Sequence, residues 1–309
     1  MCFRGRIGAA GVLLVAMLVG SARGALPFDR MFIFGDSLSD VGNLFLATFG
    51  TNPSPAEYWK GRSSNGPVWV EYLAPRLGLA APTAILSPGG GTDFAFRGAF
   101  SVSPGLGAPC LDTQVESFVG SDIVPGNTDL FTVWCGANDF IFNSPNPATV
   151  ASNVLTQIRV LKDAGAKQFL VMNLPPMGLV PEYRDQPQQV KDQASAASML
   201  YNATLHSGLD LVRSPDVSVT EIDVYGLFQQ MVANPAAYGL TNVTDDFPGP
   251  LGDPAADGYL FWDSVHPTTA GHRILAEAVY AQVVPEPAGL ALFALVGGWL
   301  ILRRRRLAE

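Results

Sequence analysis

Residues 30–43 read RMFIFGDSLSDVGN, and this stretch decides the fold. The run Met31–Phe34 is apolar at every position, which is typical of a central parallel strand that is covered on both faces. The run ends in the turn Gly35-Asp36, and Ser37 follows directly. Ligand sites on parallel sheets lie beyond the carboxyl ends of the strands. We therefore expect the Ser37 hydroxyl to project at the top of a sheet.

The alternation of strand and helix patterns continues along the chain. Apolar runs predict strands, and three- and four-residue apolar spacing predicts helices. The predicted strands are Arg30–Gly35, Asp129–Cys135, Lys167–Asn173 and Val217–Val224, and the predicted helices are Asn65–Leu77, Pro147–Ala164, Gln188–Val212 and Pro267–Val283. Strands that alternate with helices predict a parallel sheet wrapped on both faces. The expected fold is α/β, a three-layer αβα sandwich, in one domain over residues 26–284.

Composition and charge exclude several classes of protein. The chain has 309 residues, of which 48% are hydrophobic and 15% charged, with three cysteines and a formal charge of −8. These values exclude a disordered chain and a disulfide-stabilised miniprotein. Residues 26–284 hold 12 basic and 25 acidic residues, a charge of −13. That balance argues against nucleic acid as a partner and favours neutral over anionic polymers as substrates. Whether Cys110 and Cys135 pair stays open.

The amino-terminal end reads as a sorting signal. Arg4 and Arg6 precede the apolar run Ile7–Gly20, and small residues follow it. This order predicts a signal peptide over residues 1–25, and hence an exported protein.

The carboxyl-terminal end also reads as a signal. The residues Val284-Pro285-Glu286-Pro287 lead into the apolar stretch Ala288–Leu302 and then into four arginines. This order resembles the PEP-CTERM sorting signal of Gram-negative bacteria. The resemblance implies a short transmembrane helix within residues 285–309 and an exosortase-type processing enzyme as a partner. We expect transient anchoring in the inner membrane and a final place in the cell envelope or outside the cell, with a plain tail anchor as the alternative.

One histidine stands out as a base for Ser37. A serine hydroxyl is a weak nucleophile until a base takes its proton. His206 and His272 fall inside predicted helices, whereas His266 lies in the loop before the last helix, three residues after Asp263. One tight turn can place that carboxylate beside Nδ1, so that Nε2 faces the serine. The alternative is that Asp263 only caps the last helix.

Four blocks in sequence order resemble the SGNH, or GDSL, family of ester hydrolases. They are the Gly35–Asn43 turn, residues 92–99 (TDFAFRGA), residues 136–139 (GAND) and residues 263–267 (DSVHP). Residues 239–244 and 259–263 are similar to the branch that contains lipases, esterases and acyltransferases. The resemblance implies a flavodoxin-like fold and hydrolysis of carboxylic esters through an acyl-enzyme on Ser37.

The resemblance also implies three donors for the developing oxyanion: the backbone N–H groups of Ser37 and Gly98 and the side-chain amide of Asn138. Asp93 stands where the family block begins with asparagine, and this change affects the hydrogen bonds near Gly98. Residues 245–248 replace cysteines that relatives often carry, which affects only the bracing of a loop.

No metal or other cofactor is expected. Asp36, Asp40 and Asn43 lack the spacing of a calcium loop, and the chain has no glycine-rich phosphate loop.

The leading function is a secreted serine ester hydrolase. The alternatives are an acyltransferase with the same acyl-enzyme and a surface matrix-binding protein with a vestigial site. The substrate stays open among a lipid, a small ester and an acylated polysaccharide, as does the acyl chain length.

Overall fold

The computed structural model describes residues 28–105, 107–143 and 145–284. The strands are β1 Met31–Gly35, β2 Leu130–Trp134, β3 Gln168–Met172, β4 Ser218–Ile222, β5 Asn242–Asp246 and β6 Tyr259–Phe261. The helices are α1 Asn43–Ala47, α2 Trp69–Arg76, α3 Leu111–Val119, α4 Ala137–Phe142, α5 Pro147–Asp163, α6 Gln188–Asp210, α7 Val224–Ala233 and α8 Thr269–Val283. The predicted signal peptide and the predicted carboxyl-terminal signal lie outside the described residues. Among the helices of the described ranges, none is long and apolar enough to cross a bilayer.

The central sheet is parallel throughout, in the order β1-β2-β3-β4. Residues 92–96 run along the other side of β1. Ile33 N–H donates to the Thr92 carbonyl at 3.0 Å, and Phe94 N–H donates to the Ile33 carbonyl at 2.8 Å. With this extra segment the order across the sheet is residues 92–96, β1, β2, β3 and β4, so the direction in which the chain adds strands reverses beside β1. Such a switch point is where open α/β sheets bind ligands, and the Ser37 turn lies there.

The two faces of the sheet are covered by separate apolar layers. Along β1, Phe32 and Phe34 point to one layer, and Met31 and Ile33 point to the other. Helices α3, α5 and α6 supply the first layer, and helices α2 and α8 supply the second. The alternation follows from the period of two along a strand. The predicted three-layer αβα sandwich is therefore confirmed.

Two helices begin later than their sequence patterns predict. The helix predicted from Asn65 begins at Trp69, because Pro67 disfavours helical backbone at the residue before it and Glu71 caps the later start: its Oε2 accepts from Val68 N–H at 3.0 Å. The last helix begins at Thr269 and not at Pro267. Thr268 caps it, because its Oγ1 accepts from Gly271 N–H at 3.1 Å.

A second, two-stranded sheet lies outside the predicted pattern. Strands β5 and β6 pair in parallel, with Asn242 opposite Tyr259 and Asp246 opposite Phe261. They are built from the two stretches that resemble the lipase and acyltransferase branch. Strand β6 leads directly into the loop that carries Asp263 and His266.

The two thiols of the domain are free. Cys110 and Cys135 are both buried and form no disulfide in the structure. Burial raises the pKa of each thiol above its ordinary value, which disfavours the reactive thiolate.

Candidate active site

The turn that presents Ser37 requires glycine at its start. Gly35 has a φ of +152°, and a Cβ there would lie 2.2 Å from the Trp134 carbonyl oxygen of β2. The Gln114 side chain of α3 holds the same residue, because its Oε1 accepts from Gly35 N–H at 2.9 Å and its Nε2 donates to the Gly35 carbonyl at 2.8 Å. The chain can therefore leave the sheet sharply, and Ser37 reaches the surface of a cavity with 5% of its area exposed.

The structure brings Ser37, His266 and Asp263 together. His266 Nε2 lies 2.8 Å from Ser37 Oγ, and His266 Nδ1 lies 2.9 and 2.7 Å from the two carboxylate oxygens of Asp263. An imidazole that donates Nδ1–H to a carboxylate leaves the Nε2 lone pair for the serine proton. Asp263 does not cap α8, since Thr268 does, so the alternative capping role is wrong.

The Asp263 carboxylate stays ionised over a wide pH range. Burial alone would raise its pKa, but the neighbouring His266 and hydrogen bonds from His266, Tyr58 and Val265 outweigh burial and hold the pKa well below its usual value. The backbone N–H groups of Val265 and His266 donate to Oδ1 at 2.9 and 2.7 Å. Hydrogen bonds to both oxygens, from these N–H groups and from Tyr58, therefore hold the carboxylate in its contact with the imidazole.

Tyr58 is a member of this site that the sequence analysis missed. Its hydroxyl donates to Asp263 Oδ2 at 2.6 Å. Burial and the charge of Asp263 raise the pKa of Tyr58 to about 12, so the phenol remains a donor at neutral pH. The residue lies in a loop without helical or strand periodicity, and no signal in the sequence connects it with a position 205 residues away.

The three expected oxyanion donors line one cavity with Ser37 and His266. Neither Ser37 N–H nor Gly98 N–H donates to another described residue, so both remain available to a ligand. Gly98 has a φ of +83°, and a Cβ there would meet nothing within 4 Å. Asn138 Nδ2 donates one hydrogen to the Ala99 carbonyl at 2.9 Å, which leaves the second amide hydrogen free to serve a ligand.

Asp93 fits the block in which the family carries asparagine. Its carboxylate accepts from Val41 N–H at 2.7 Å and from Ala95 N–H at 2.9 Å, and Asn43 Nδ2 donates to its carbonyl at 2.8 Å. Each of these contacts to the side chain calls for an acceptor, which a carboxylate supplies. Burial, together with the charge of Asp40, raises the pKa of Asp93 well above its ordinary value.

The cavity beside Ser37 has a volume of about 380 Å³ and mixed walls. Ile141, Phe142 and Val265 contribute apolar surface, and the Phe142 side chain is exposed by 66%. Arg97 and Glu182 contribute charged groups to the same cavity. The site can therefore hold an organic ester with both apolar and polar parts.

The other two histidines lie apart from Ser37. His206 is exposed on α6, and its Nδ1 lies 2.7 Å from Glu221 Oε2. His272 is buried within α8, and neither of its ring nitrogens has a hydrogen-bond partner among the described residues. Burial, with a smaller contribution from the charge of His266, lowers the pKa of His272 to about 3.

Comparisons with known proteins identify the family of the chain. The family model described as GDSL-like Lipase/Acylhydrolase matches residues 31–279. Thermolabile hemolysin of Vibrio parahaemolyticus is 30% identical over 267 residues, which cover 81% of this chain and 62% of that protein. Phosphatidylcholine-sterol acyltransferase of Aeromonas hydrophila is 30% identical over 321 residues, which cover 85% of this chain and 92% of that protein.

A third relative is the secreted effector protein SseJ of Salmonella typhimurium, which is 27% identical over 263 residues. The match covers 80% of this chain and 62% of the effector. The chain thus spans less than two thirds of the hemolysin and of the effector, and most of the acyltransferase.

Proposed function

The chain belongs to the GDSL-like lipase/acylhydrolase family, and from this premise we propose that it hydrolyses carboxylic esters through an acyl-enzyme on Ser37. The observation that carries the proposal is the 2.8 Å contact between His266 Nε2 and Ser37 Oγ, with the opposite ring nitrogen anchored on Asp263. These are the distances that proton transfer from a nucleophile to its base requires.

In the first half of the reaction, Ser37 Oγ attacks the ester carbonyl carbon while its proton moves to His266 Nε2. The carbonyl oxygen becomes an oxyanion, which accepts hydrogen bonds from the Ser37 and Gly98 backbone N–H groups and from the Asn138 amide. The C–O bond of the ester then breaks. His266 Nε2 gives its proton to the departing alkoxide, and the acyl group stays on Ser37.

In the second half, water takes the place of the alcohol. His266 accepts a proton from the water as its oxygen attacks the acyl carbonyl carbon, and the same donors stabilise the second oxyanion. The bond to Ser37 Oγ breaks, and the serine recovers its proton from His266. A vestigial site on a matrix-binding protein is the weaker account. It gives no reason for Ser37, Asn138, Asp263 and His266 to meet in one cavity from distant parts of the chain.

Acyl transfer to an alcohol is the second candidate for the same acyl-enzyme. Its support is the relative named as an acyltransferase, of which the matched region covers 92%. The two functions differ only in whether water or an alcohol attacks the acyl group. Product analysis with and without an acceptor alcohol separates them: a new ester that grows with acceptor concentration indicates transfer.

The acyl chain of the substrate lies, in this proposal, against Ile141 and Phe142. These side chains offer the cavity apolar surface close to Ser37. Hydrolysis of p-nitrophenyl acetate and of its longer-chain homologues measures both activity and chain preference. Faster turnover of the longer esters supports an apolar acyl site at this wall.

We also propose that the protein is exported. The support is the signal-peptide pattern of residues 1–25 and the relative whose name describes a secreted effector. The pattern of residues 285–309 supports a mature protein that ends near Val284–Pro287, outside the inner membrane. Mass spectrometry of the carboxyl-terminal peptide from the producing organism tests this. A mature chain with its arginine cluster intact indicates a plain tail anchor.

The test of the proposed activity is a mutational cycle on the two residues in contact. We expect Ser37→Ala and His266→Ala each to reduce ester hydrolysis more than about a hundredfold, and the double variant to lose little more, because residues that act as one unit are non-additive. Circular dichroism checks that each variant is folded. If the two losses multiplied in the double variant, Ser37 and His266 would act independently, which would contradict the proposal.

A further inference from the structure

A guanidinium group lies in the cavity beside Ser37 without a carboxylate partner. The Arg97 side chain lines that cavity. Its guanidinium lies 4.8 Å from the centre of the Tyr58 ring and donates to Ser63 Oγ. None of the ion pairs formed by the described residues includes Arg97. A guanidinium has five N–H donors, so most of its hydrogen-bonding capacity is unused by these contacts.

The backbone holds Arg97 at a fixed place next to the oxyanion donors. Its N–H donates to the buried carboxylate of Asp40 at 2.8 Å. Gly98, whose N–H is free for the oxyanion, is the next residue in the chain. The guanidinium is therefore carried by the residue next to this donor, within the length of one side chain of the place that the scissile ester would occupy.

The other charged groups of the cavity leave the positive charge available. Asp263 lines the cavity, but its carboxylate is taken up by His266 and Tyr58. Glu182 lines it as well and forms no ion pair with Arg97. The formal charge of the chain is −8, and the guanidinium of Arg97 is the positively charged group of a cavity that also holds the carboxylates of Asp263 and Glu182.

We propose that Arg97 binds an anionic group, a phosphodiester or a carboxylate, that the substrate carries close to its scissile ester. Arginine suits this task because its planar fork can donate two parallel hydrogen bonds to either oxyanion. The inference rests on the proposed hydrolysis at Ser37 and names the class of ester on which that site acts. The expectation of neutral substrates came from the charge of the whole domain, and a local site can differ from it.

The test uses three soluble substrates with the same two butyrate esters: dibutyroylglycerol, its phosphocholine derivative and its hemisuccinate. The measured quantity is kcat/KM for butyrate release, as the ratio of each charged ester to the neutral one. We expect Arg97→Gln to lower at least one ratio by about tenfold or more, since a hydrogen bond to a charged group is lost. Arg97→Lys should restore part of it. Arg159→Gln removes the same charge from exposed α5 and is the matched control.

The ratios and the absolute rates report on different claims. Hydrolysis of dibutyroylglycerol by the wild type, and its loss in Ser37→Ala, tests the proposed function. A ratio that falls only for the phosphocholine ester identifies the anion as a phosphodiester, and one that falls only for the hemisuccinate identifies a carboxylate. Equal ratios in wild type and Arg97→Gln overturn the inference, even where all absolute rates drop through the Tyr58 contact.

A binding measurement keeps the inference testable without turnover. In the Ser37→Ala background, calorimetric titration with the phosphocholine and hemisuccinate esters should show at least one of them binding about tenfold more weakly when Arg97→Gln is added. Unchanged binding of both esters contradicts the role of Arg97.

Discussion

His266 Nε2 lies 2.8 Å from Ser37 Oγ, although 229 residues separate the two in the chain. Ser37 follows β1 of the central sheet, and His266 follows β6 of the small second sheet. The contact therefore exists only when both sheets are formed and packed together. In the proposed reaction, catalysis depends on the loops after β1 and β6, and the contacts of each residue around this pair suggest a variant that tests its role.

The proposed role of Asp263 predicts a large loss of kcat in Asp263→Asn. Among the described residues only Asp263 contacts His266 Nδ1, so no backbone carbonyl can orient the ring in its place. An asparagine would favour the wrong imidazole tautomer, a change that costs about ten-thousandfold in kcat in a serine protease triad. We expect a loss in kcat close to that of Ser37→Ala. A loss of less than tenfold would show that another group orients the imidazole.

Tyr58→Phe should reduce kcat by about tenfold with little change in KM. The variant removes the 2.6 Å hydrogen bond to Asp263 Oδ2 but keeps the ring under Arg97. A hydrogen bond to a charged group contributes about 1.5 kcal/mol or more. The matched control is Tyr72→Phe. The Tyr72 hydroxyl lies 2.6 Å from Thr269 Oγ1, and neither residue lines the cavity. Equal effects of the two variants would reduce Tyr58 to a packing residue.

Asn138→Ala should lower kcat by about a hundredfold, the usual effect of removing one oxyanion donor. KM should change little, because the donor acts on charge that develops in the transition state. Asn138→Asp keeps the size of the side chain but has no amide donor, so we expect it to be at least as poor. Steady-state kinetics on a p-nitrophenyl ester measures both variants, and a normal kcat in Asn138→Asp would rule out the amide as a donor.

His272→Leu should make the protein more resistant to acid. The pKa of His272 falls from 6.5 to about 3 in the folded state, chiefly through burial. Between these pH values the unfolded chain binds one proton more than the folded chain, so this group weakens folding as the pH falls through 6.5. Removing it should raise stability relative to wild type by about 2 kcal/mol more at pH 5 than at pH 7.

Urea unfolding of both proteins at the two pH values measures this difference. Asp36 acts in the opposite direction, because burial raises its pKa to about 7, but both proteins keep Asp36 and its contribution cancels. His206→Leu is a control of opposite sign: the hydrogen bond with Glu221 raises the pKa of this exposed histidine, so its removal should lower stability more at pH 5 than at pH 7. No pH-dependent gain in His272→Leu would mean that His272 is not buried in its neutral form.

The sequence predicted the central sheet well because its strands carry their own signal. All four predicted strands lie within two residues of β1 to β4 at each end. Strands β1 to β3 are nearly continuous apolar runs, whereas the edge strand β4 is more polar and only partly buried. Ser37, Asp263 and His266 were also within reach of sequence reasoning. A serine after a strand and an aspartate three residues before a loop histidine are local patterns with a chemical reason.

Other parts could not be predicted because they depend on contacts between distant segments. The side chain of Asn65, which precedes α2, accepts a hydrogen bond from Thr269 N–H, and no local pattern predicts that contact. Tyr58 and Arg97 gain their roles from neighbours on separate loops. The pairing of β5 with β6 joins a short polar strand to a strand of three residues, and neither shows a clear period.

The central claim is that Ser37 is the nucleophile that His266 activates, and covalent labelling tests it most directly. The protein is treated with a p-nitrophenyl alkylphosphonate, which an activated serine displaces at phosphorus, and the labelled peptide is then mapped by mass spectrometry. We predict one phosphonyl group on Ser37, no labelling in Ser37→Ala, and labelling slowed more than about a hundredfold in His266→Ala. A label on another residue, or labelling of His266→Ala at the wild-type rate, would contradict the account.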